Sequence, residues 1–383
     1  MGEVGMTEER TGKGDLILVL NSGSSSLKFG VYYRGTSDEE PLLIGSADGI
    51  RRSNGSLRIR SADGKSLLQR DSSHESQDHA LRVLAEAMRE HISDAPAAVG
   101  HRVVHGGPQL RTHQLITPQV LEESRKATHF APLHIPQALS LIASAQSIFR
   151  SAAHFACFDD AFHRTIPAVA ARFPLPRSYF DAGIRRYGFH GLSYESLMNH
   201  FGAKMPRRAI FAHLGNGSSL CAVRDGASID TTMGLTPTGG IPMGTRSGDL
   251  DPGVLLYLLR HEKFDADGLE DLLNHQSGLF GLSSGESDVK ALEERARAND
   301  PEATLALDVF AVSVRKAIGA YMALLGGVDV LVFTGGIGEH SERVRSAATD
   351  GLEALGLTTD KIQVVPAREE QQMARYCRRM MAR

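Results

Sequence analysis

Two short runs of small polar residues have the composition of loops that bind phosphate. The first spans residues 21–26 and is followed by Lys28, and the second spans residues 215–219. Small side chains let backbone N–H groups approach phosphate oxygens, and a lysine adds a compact positive charge. One such run alone is equally compatible with an ordinary hairpin turn. Two matched runs, each placed between strand-like segments, favour a nucleotide site.

A third glycine segment, TGGIGEHS at residues 334–341, follows an apolar strand and should open a helix near Glu339. The N–H groups at the start of such a helix favour phosphate. A Rossmann fingerprint is disfavoured because Ser341 stands where the third small residue belongs. A Walker loop is disfavoured because its spacing is absent and residues after Lys28 alternate as a strand. Together, the three segments predict a nucleotide held between two domains.

The segment GHRVVHGG contains His101, Arg102 and His105. Four strand residues span about 13 Å, so the two histidines lie too far apart for one metal ion. We therefore interpret His101 as a structural residue near a strand end. Arg102 could hold a carboxylate or phosphate with two hydrogen bonds, and an ion pair at the surface is equally compatible.

Polar residues also follow other apolar segments. Asp159 and Asp160 end a strand, where ligands of α/β sheets bind. One of these carboxylates could orient Mg²⁺ or a proton, or could cap a helix. His190 lies between aromatic and glycine residues, and Arg246 lies in a glycine-rich irregular segment of the kind that often carries function.

The elements that position these residues repeat along the chain. Strands within residues 15–33 and 208–230 each flank a small-residue turn that ends in Ser-Ser-Leu, which predicts an internal structural repeat. Tight turns predict antiparallel pairing early in each half, and later strand–helix alternation predicts parallel pairing. The predicted hairpin turns are Asn54-Gly55, Asp63-Gly64 and Asp225-Gly226. The predicted helices cover residues 76–92, 117–129, 136–149, much of 251–325, and the C-terminal end.

The expected domains are an N-terminal domain at 15–163, completed by the terminal helix 369–383, and a nucleotide-binding domain at 164–368. Residues 1–14 are polar and lack an apolar core, which predicts a disordered leader instead of a signal peptide.

Composition narrows the class of protein. The net charge of −3 argues against nucleic acid or an anionic membrane as a partner. The three cysteines are widely spaced and odd in number, which disfavours a disulfide framework or zinc site and indicates a reducing compartment. No apolar stretch has the length of a membrane span. We therefore expect a cytoplasmic protein.

Eight motifs, in the same order along residues 16–375, closely resemble the acetate kinase family. They are LNSGSSSLKF, GHRVVHGG, APLHIP, FDDAFHRTIP, YGFHGLS, HLGNGSSL, MGTRSGDLDPG and FTGGIGE. The resemblance implies the α/β, two-lobed actin/hexokinase/Hsp70-like ATPase fold, built from duplicated ribonuclease H-like domains, and a homodimer. It also implies reversible phosphorylation of acetate by ATP, which gives ADP and acetyl phosphate, with Mg²⁺ as cofactor (Mn²⁺ can substitute).

The resemblance also implies roles for individual residues. The catalytic residues would be Asp159, His190, Arg246 and Arg102. The nucleotide would contact Lys28, His213, Leu214, Gly215, Asn216, Gly217, Asp288, Val289, Lys290, Gly336, Ile337, Gly338, Glu339 and His340. The pocket for the acid would consist of Arg102, Val104, Leu133, Phe189 and Pro237. The metal-linked residues would be Asn21 and Glu369. Lys290 and His340 depart from the Arg and Asn that are common in the family.

Direct in-line transfer is the mechanism we expect. A carboxylic acid with a pKa of about 4.3 is already ionised at neutral pH, so it needs no general base. The difficulty is repulsion between an anion and a polyanionic phosphate, which Arg102, Arg246, His190 and Mg²⁺ would offset. Asp159 would mainly hold Mg²⁺ or its waters. The alternatives are a propionate or butyrate kinase, an actin-like ATPase switch without an acid substrate and, least favoured, a dinucleotide-dependent oxidoreductase.

Overall fold

A computed structural model describes residues 16–23, 26–35, 40–50, 55–92 and 94–382. The predicted leader at 1–14, part of the first small-residue turn and Asn54 lie outside the described residues. The strands are β1 (Leu16–Ser22), β2 (Ser26–Tyr33), β3 (Leu43–Asp48), β4 (Ser56–Ser61), β5 (Ser66–Asp71), β6 (Ala98–Val103), β7 (Gln114–Leu115), β8 (Ala153–Phe158), β9 (Arg208–Leu214), β10 (Ser218–Arg224), β11 (Ala227–Thr231), β12 (Val330–Thr334) and β13 (Ile362–Val364).

The helices follow the same numbering in chain order. They are α1 (Gln77–Arg89), α2 (Pro118–Lys126), α3 (Ile135–Ile148), α4 (Ala168–Ala171), α5 (Arg177–Asp181), α6 (Gly191–Phe201), α7 (Pro252–Arg260), α8 (Ala266–His275), α9 (Gly278–Leu282), α10 (Val289–Arg297), α11 (Pro301–Leu325), α12 (Gly335–His340), α13 (Glu342–Thr349) and α14 (Glu369–Met381). No described helix combines the length and apolar character needed to cross a membrane.

The chain divides into two units. The first runs to Phe158 and includes the segment from Glu369 onward, and the second runs from Asp159 to Arg368. The predicted domain ranges, 15–163 with 369–383 and 164–368, stay predictions.

The sheets of the two units share one topology. The first has the order β5-β4-β3-β2-β1-β6-β8-β7 and the second β11-β10-β9-β12-β13. Both contain three consecutive antiparallel strands, the first of which pairs parallel with a later strand, which pairs parallel with a further one. In the first sheet the antiparallel run continues through β4 and β5, and β7 adds an antiparallel edge on β8. This order, three antiparallel strands continued by parallel ones, is that of a ribonuclease H-like sheet. The predicted repeat, the strand directions and the duplicated fold class are confirmed.

Helices bury both faces of the first sheet, which explains why β1 is an almost continuous apolar run. Leu18 and Leu20 face Leu84 of α1 and its neighbours in one core. On the opposite face, a Cβ placed on Gly100 of β6 would lie 2.8 Å from the Sγ of Cys377 in α14. The glycine therefore lets the terminal helix pack close to the sheet.

The second sheet is covered in the same way. On one face, β9 and β10 pack against α11, which has the N-cap Asp300 and ends at Gly326 in the left-handed conformation. On the other face, Phe211 of β9 packs with Tyr194 and Leu197 of α6. This second contact places the first turns of α6 beneath the β9–β10 turn.

Most local predictions are confirmed. At the Asp225-Gly226 turn both residues have positive φ, 50° and 78°, as a tight hairpin requires. The predicted helix at 76–92 ends earlier, at Arg89, and the end of the one at 117–129 is a 3₁₀ turn, Ala127–Phe130.

The predicted helix start near Glu339 is wrong, because α12 begins at Gly335, directly after β12. Gly335 has φ +76°, and its N–H donates to the Oε1 of Glu339 at 3.0 Å. The side chain one turn later thus satisfies the amide, so no preceding loop is needed.

Candidate functional site

The turn between β9 and β10 is the centre of the site in the second unit. The N–H of Gly215 donates to the carbonyl of Gly217 at 3.1 Å, and the Ser218 hydroxyl donates to the Gly215 carbonyl at 3.0 Å. A Cβ placed on Gly217 would lie 3.2 Å from the Nε2 of His190 and 3.3 Å from a terminal nitrogen of Arg246. The absence of a side chain lets these two groups approach the turn closely.

Two stacked imidazoles flank this turn. The rings of His190 and His213 are 4.2 Å apart at an interplanar angle of 23°. Each Nδ1 is hydrogen-bonded to a serine hydroxyl: His190 to Ser219 at 2.9 Å and His213 to Ser193 at 2.8 Å. The Nε2 of His213 would lie 3.2 Å from a Cβ on Gly335. Both rings therefore direct Nε2 toward glycine backbone.

Arg246 reaches the turn because its irregular segment is attached to Asn216. The N–H of Gly244 donates to the Asn216 carbonyl at 3.1 Å, and a Cβ on Gly244 would lie 2.3 Å from the Asn216 Oδ1. The guanidinium of Arg246 also donates to the carbonyl of Pro237 at 3.2 Å. The irregular segment predicted from the sequence thus has a defined structure that positions a cation.

The backbone at His190 is held in an unusual conformation. Its φ is +58°, in the left-handed region that residues with a side chain rarely adopt. Its N–H donates to the Oδ2 of the fully buried Asp159 at 3.1 Å, and the Gly191 N–H donates to the Asp159 carbonyl at 2.8 Å. Strain of this kind is typical of functional sites.

His163 holds the residue before His190. Its Nε2 lies 3.0 Å from the carbonyl of Phe189, which can only accept, so the neutral ring carries its hydrogen on Nε2. Its Nδ1 therefore accepts from the Ser228 hydroxyl at 2.9 Å.

In the first unit, the end of β1 meets the start of α14. The side-chain amide of Asn21 donates to Glu369 at 2.9 Å and to Glu370 at 2.8 Å. The guanidinium of Arg102 in β6 donates to the Oδ1 of the same Asn21 side chain at 3.4 Å. Lys28 is exposed directly opposite Asn21 in the β1–β2 register. The structure therefore brings both predicted metal-linked residues together, and adds Glu370.

Two carboxylates that were predicted to contact the nucleotide accept hydrogen bonds from backbone N–H groups. Asp288 is the N-cap of α10 and accepts from the Ala291 N–H at 2.9 Å. The Oε1 of Glu339 accepts from the N–H groups of Gly335 and Ala367, each at 3.0 Å. Their proposed contacts with nucleotide stay predictions.

The remaining predicted residues are spread over both units. Leu214, Val289 and Ile337 belong to the apolar core of the second unit or pack on it, and Lys290 and His340 are exposed. Gly336 is exposed in α12 and Gly338 is buried there. Of the predicted acid pocket, Val104 and Leu133 belong to the first unit, and Phe189 and Pro237 to the second. Their roles stay predictions.

Sequence reasoning did not identify the residues behind the imidazoles. These are Ser193, Tyr194, Ser219, His163 and Ser228. The repeated Ser-Ser-Leu exit of the two turns was the one signal available for Ser219.

A duplicated ribonuclease H-like fold whose glycine turn is lined by imidazoles and an arginine is typical of the actin and hexokinase class of ATP-binding proteins. Residues 16–376 match the acetokinase family. The chain belongs to that family, so the resemblance found in its motifs is confirmed.

Individual relatives agree with this assignment. The chain is 40% identical over 362 residues to an acetate kinase of Methylocella silvestris, covering 90% of this chain and 88% of the relative. It is 42% identical over 360 residues to an acetate kinase of Nitrobacter hamburgensis, covering 91% and 87%. Among crystal structures, Porphyromonas gingivalis acetate kinase has a TM-score of 0.84 at 31% identity, with 96% of this chain and 100% of that chain covered. A Francisella tularensis propionate kinase has 0.88 at 33% identity, with the same coverage.

Proposed function

We propose that this protein catalyses the reversible transfer of a phosphoryl group from ATP to acetate. The observation that carries the proposal is the convergence of His190, His213 and Arg246 on the Gly215–Gly217 turn in an acetokinase-family chain. Backbone N–H groups and cationic side chains of this kind bind phosphate and stabilise charge on a transferring phosphoryl group.

The arrangement suits direct in-line transfer. An acetate carboxylate is ionised at neutral pH, so the acceptor has no proton to lose. Arg246 and His190 would stabilise the charge that develops on the phosphoryl oxygens. Asp159 already accepts from the His190 amide, and this fixes the backbone that carries the imidazole. Its expected role, which is mainly to hold Mg²⁺ or its waters, stays a prediction.

We propose Mg²⁺ as the metal, held in the first unit by Asn21 and Glu369, with Glu370 beside them. Glu369 and Glu370 offer carboxylate oxygen, the ligand atom that Mg²⁺ prefers, and the side-chain amide of Asn21 lies against both. Among the described residues no group of three or more His, Cys, Asp or Glu side chains could hold a metal. Mg²⁺ takes one or two carboxylates and completes its shell with water and phosphate. When bound, the ion would neutralise charge on the nucleotide phosphates.

The test is acyl-phosphate formation. The protein would be incubated with ATP, Mg²⁺ and acetate, and the product trapped with hydroxylamine as the hydroxamate. We expect acetyl hydroxamate in proportion to ADP. Release of ADP without hydroxamate, at a rate independent of acetate, would instead support an ATPase switch.

Propionate is the second candidate substrate, because a propionate kinase is among the similar structures. One methylene changes binding by only about 1–3 kcal/mol in an apolar pocket. A series of kcat/KM values for acetate, propionate and butyrate decides between them. A higher value for propionate would replace acetate in the proposal.

We also propose a homodimer, formed through α7. This helix has no buried residue, and Val254, Leu256, Tyr257 and Leu259 are 40–54% exposed. An apolar helix of this kind is typical of a surface that a second copy covers. Leu256→Glu should produce monomers in sedimentation analysis, and Leu305→Glu, at an exposed leucine of α11, should not.

A cytoplasmic location completes the proposal. Cys157, Cys221 and Cys377 are buried thiols that form no disulfide, as in proteins of reducing compartments. Cell fractionation tests this directly, and recovery in an extracellular fraction would contradict it.

A further inference from the structure

The peptide group between Phe189 and His190 is held at both of its ends by buried side chains. Its carbonyl accepts a hydrogen bond from the Nε2 of His163 at 3.0 Å, and its N–H donates to the Oδ2 of Asp159 at 3.1 Å. His163 and Asp159 are both fully buried. The carbonyl and the N–H of a trans peptide point in opposite directions, so the two contacts together fix the plane of this peptide. The orientation of that plane determines the φ of His190, which is +58°.

The hydrogen bond from His163 to this carbonyl does not depend on the charge of the ring. A carbonyl oxygen can only accept, so Nε2 carries a hydrogen in the neutral and in the protonated ring. The Nδ1 lies 2.9 Å from the Oγ of Ser228, a hydroxyl that can donate to a neutral ring or accept from a protonated one. The Sγ of Cys221 lies 3.3 Å from the same hydroxyl and can take the complementary role. Both ring nitrogens are therefore satisfied in either state, which keeps the ring in one orientation.

The chain before His190 folds closely around the ring of His163. Gly188 has φ +75°, and a Cβ placed on it would lie 2.6 Å from the Cδ2 of His163 and 2.5 Å from the Cγ2 of Thr231. The N–H of Tyr187, one residue earlier, donates to the carbonyl of Gly234 at 2.9 Å. A side chain at Gly188 would collide with the imidazole, so the glycine lets the chain approach the ring and place the next carbonyl on Nε2.

We propose that His163 is a positioning residue, which holds the Phe189 carbonyl and so keeps His190 in the left-handed conformation that brings its imidazole to the β9–β10 turn. The inference rests on the proposed function, because His190 would act there on the transferring phosphoryl group. A residue with a side chain stays in this conformation only where its surroundings hold it there. In this conformation the Nε2 of His190 lies 3.2 Å from the position of a Cβ on Gly217. A group placed in advance lowers the barrier, since little has to reorient during the reaction.

The first test compares two amide side chains in place of His163. The amide nitrogen of a glutamine lies about where Nε2 lies in a histidine, so His163→Gln keeps a donor for the Phe189 carbonyl. The shorter asparagine places its amide about where Nδ1 lies, so His163→Asn loses that donor. By analogy with groups that orient metal ligands, we expect kcat to fall about ten- to hundredfold in His163→Asn and to stay within about threefold in His163→Gln.

The KM values separate positioning from substrate binding. KM for ATP and acetate should stay within about twofold in both variants, because the imidazole of His190 acts mainly in the transition state. His163→Leu also lacks a donor and fills more of the buried space, so it replaces His163→Asn if that variant does not fold. An unchanged kcat without the donor, or an equal loss of kcat in His163→Gln, would contradict the proposal.

His154→Asn is the matched control. His154 belongs to the first unit and is also a buried histidine whose Nε2 lies near a backbone carbonyl, that of Phe149 at 3.3 Å. We expect His154→Asn to lose stability in urea unfolding, as His163→Asn does, while its kcat stays near the wild-type value. A comparable loss of kcat in both variants would show that kcat merely follows stability, and His163 would then have no positioning role.

The second test examines the backbone without turnover. Crystal structures of the full-length wild type, His163→Gln and His163→Asn give the φ of His190 directly. We expect a left-handed φ in the first two and, in His163→Asn, a rotated Phe189–His190 peptide with the imidazole displaced from the turn. An unchanged peptide and imidazole in His163→Asn would overturn the proposal.

The proposed function and the role of His163 can fail separately. If no acetyl phosphate forms but the peptide rotates in His163→Asn, the proposed reaction is wrong and His163 still positions His190. If acetyl phosphate forms and His163→Asn keeps the wild-type kcat and backbone, the function stands and this inference is wrong.

Discussion

Each of the two units contains a stacked pair of histidines, and the two pairs differ in what their nitrogens contact. In the first unit, His101 and His154 stack at 5.3 Å and 22°, and their nitrogens bond to each other at 3.0 Å. In the second unit, His190 and His213 stack at 4.2 Å and 23°, and each Nδ1 is bonded to a serine instead. In the first pair, one nitrogen of each ring faces the other ring, His154 Nε2 lies 3.3 Å from the Phe149 carbonyl, and His101 Nδ1 is buried without a partner. The second pair is held by serines at Nδ1 and directs Nε2 toward glycine backbone.

The electrostatics support the same distinction. Burial, helped by the neighbouring His154, lowers the pKa of His101 to about 3, so this pair is neutral at physiological pH. The second pair lies beside Arg246 and the glycines of the β9–β10 turn. One sheet topology therefore carries a structural pair in one unit and, we propose, a catalytic residue with its neighbour in the other.

The ends of the first strands in each unit differ in a related way. At the end of β1, Asn21 lies against Glu369 and Glu370, a set suited to a hard cation. At the end of β9, His213 and the following glycines form a set suited to an anion. Duplication supplied two equivalent positions, and the side chains at each have opposite electrostatic preferences.

Removal of the Arg246 guanidinium, which lies beside the His190–His213 pair, should have the largest effect on kcat. For Arg246→Ala we expect kcat to fall about 10³-fold, the low end of the range for an arginine that stabilises phosphoryl transfer. The KM for acetate should change far less. Arg224→Ala is the control, because Arg224 lies at the far end of β10 and donates to the carbonyl of Leu324. Unchanged turnover in Arg246→Ala would remove Arg246 from the proposed mechanism.

Substitution of one histidine in each pair compares the pairs directly. His190→Asn should lower kcat about 10²-fold, as expected for loss of one preorganised donor. His101→Gln should leave kcat near the wild-type value at neutral pH, because the His101 ring contacts His154, which we interpret as its structural partner. Steady-state kinetics of both variants, with thermal unfolding as a check on folding, give the answer. Equal losses of kcat in His190→Asn and His101→Gln would show that the two histidine pairs do not differ in function.

The sequence predicted the strands and turns of the two units better than it predicted the side-chain contacts between distant residues. The two strand–turn–strand units were predictable because small polar residues between apolar runs dictate tight turns locally. The proximity of Asn21 and Glu369 was not, since they are 348 positions apart and spacing cannot show their contact. Family resemblance alone suggested that pair.

Side-chain networks were the least predictable feature. The serine behind each imidazole depends on how α6 packs beneath β9 and β10, and no periodicity encodes a rotamer. The wrong start of α12 has a similar origin, because a side chain four residues ahead satisfies the Gly335 amide. Local rules therefore recovered the elements, while the contacts between elements required the structure.

The carboxylates of the first unit should show a smaller and more selective effect. Glu369→Gln removes the negative charge of one proposed metal ligand. The Mg²⁺ concentration for half-maximal activity should therefore rise about tenfold, by analogy with other changes around metal sites. The KM for acetate should change little. Glu353→Gln, in the second unit, is a control with the same charge change. A loss of activity that excess Mg²⁺ cannot restore would argue against a metal role for Glu369.

The smallest expected effect is a dependence of stability on pH that arises from the His101–His154 pair. The pKa of His101 is about 3 in the folded protein, below its ordinary value of 6.5. Between these two values the unfolded chain binds more protons than the folded protein. The contribution of His101 to the free energy of unfolding is therefore complete above pH 6.5 and is lost as the pH falls. We expect His101 to account for a loss of roughly 1 kcal/mol between about pH 8 and about pH 6. Urea unfolding across this range should show a shallower dependence in His101→Gln, with His200→Gln, at an exposed histidine of α6, as the control. An identical slope in wild type and His101→Gln would show that the pair is not held neutral, and the contrast with His190 and His213 would then rest on geometry alone.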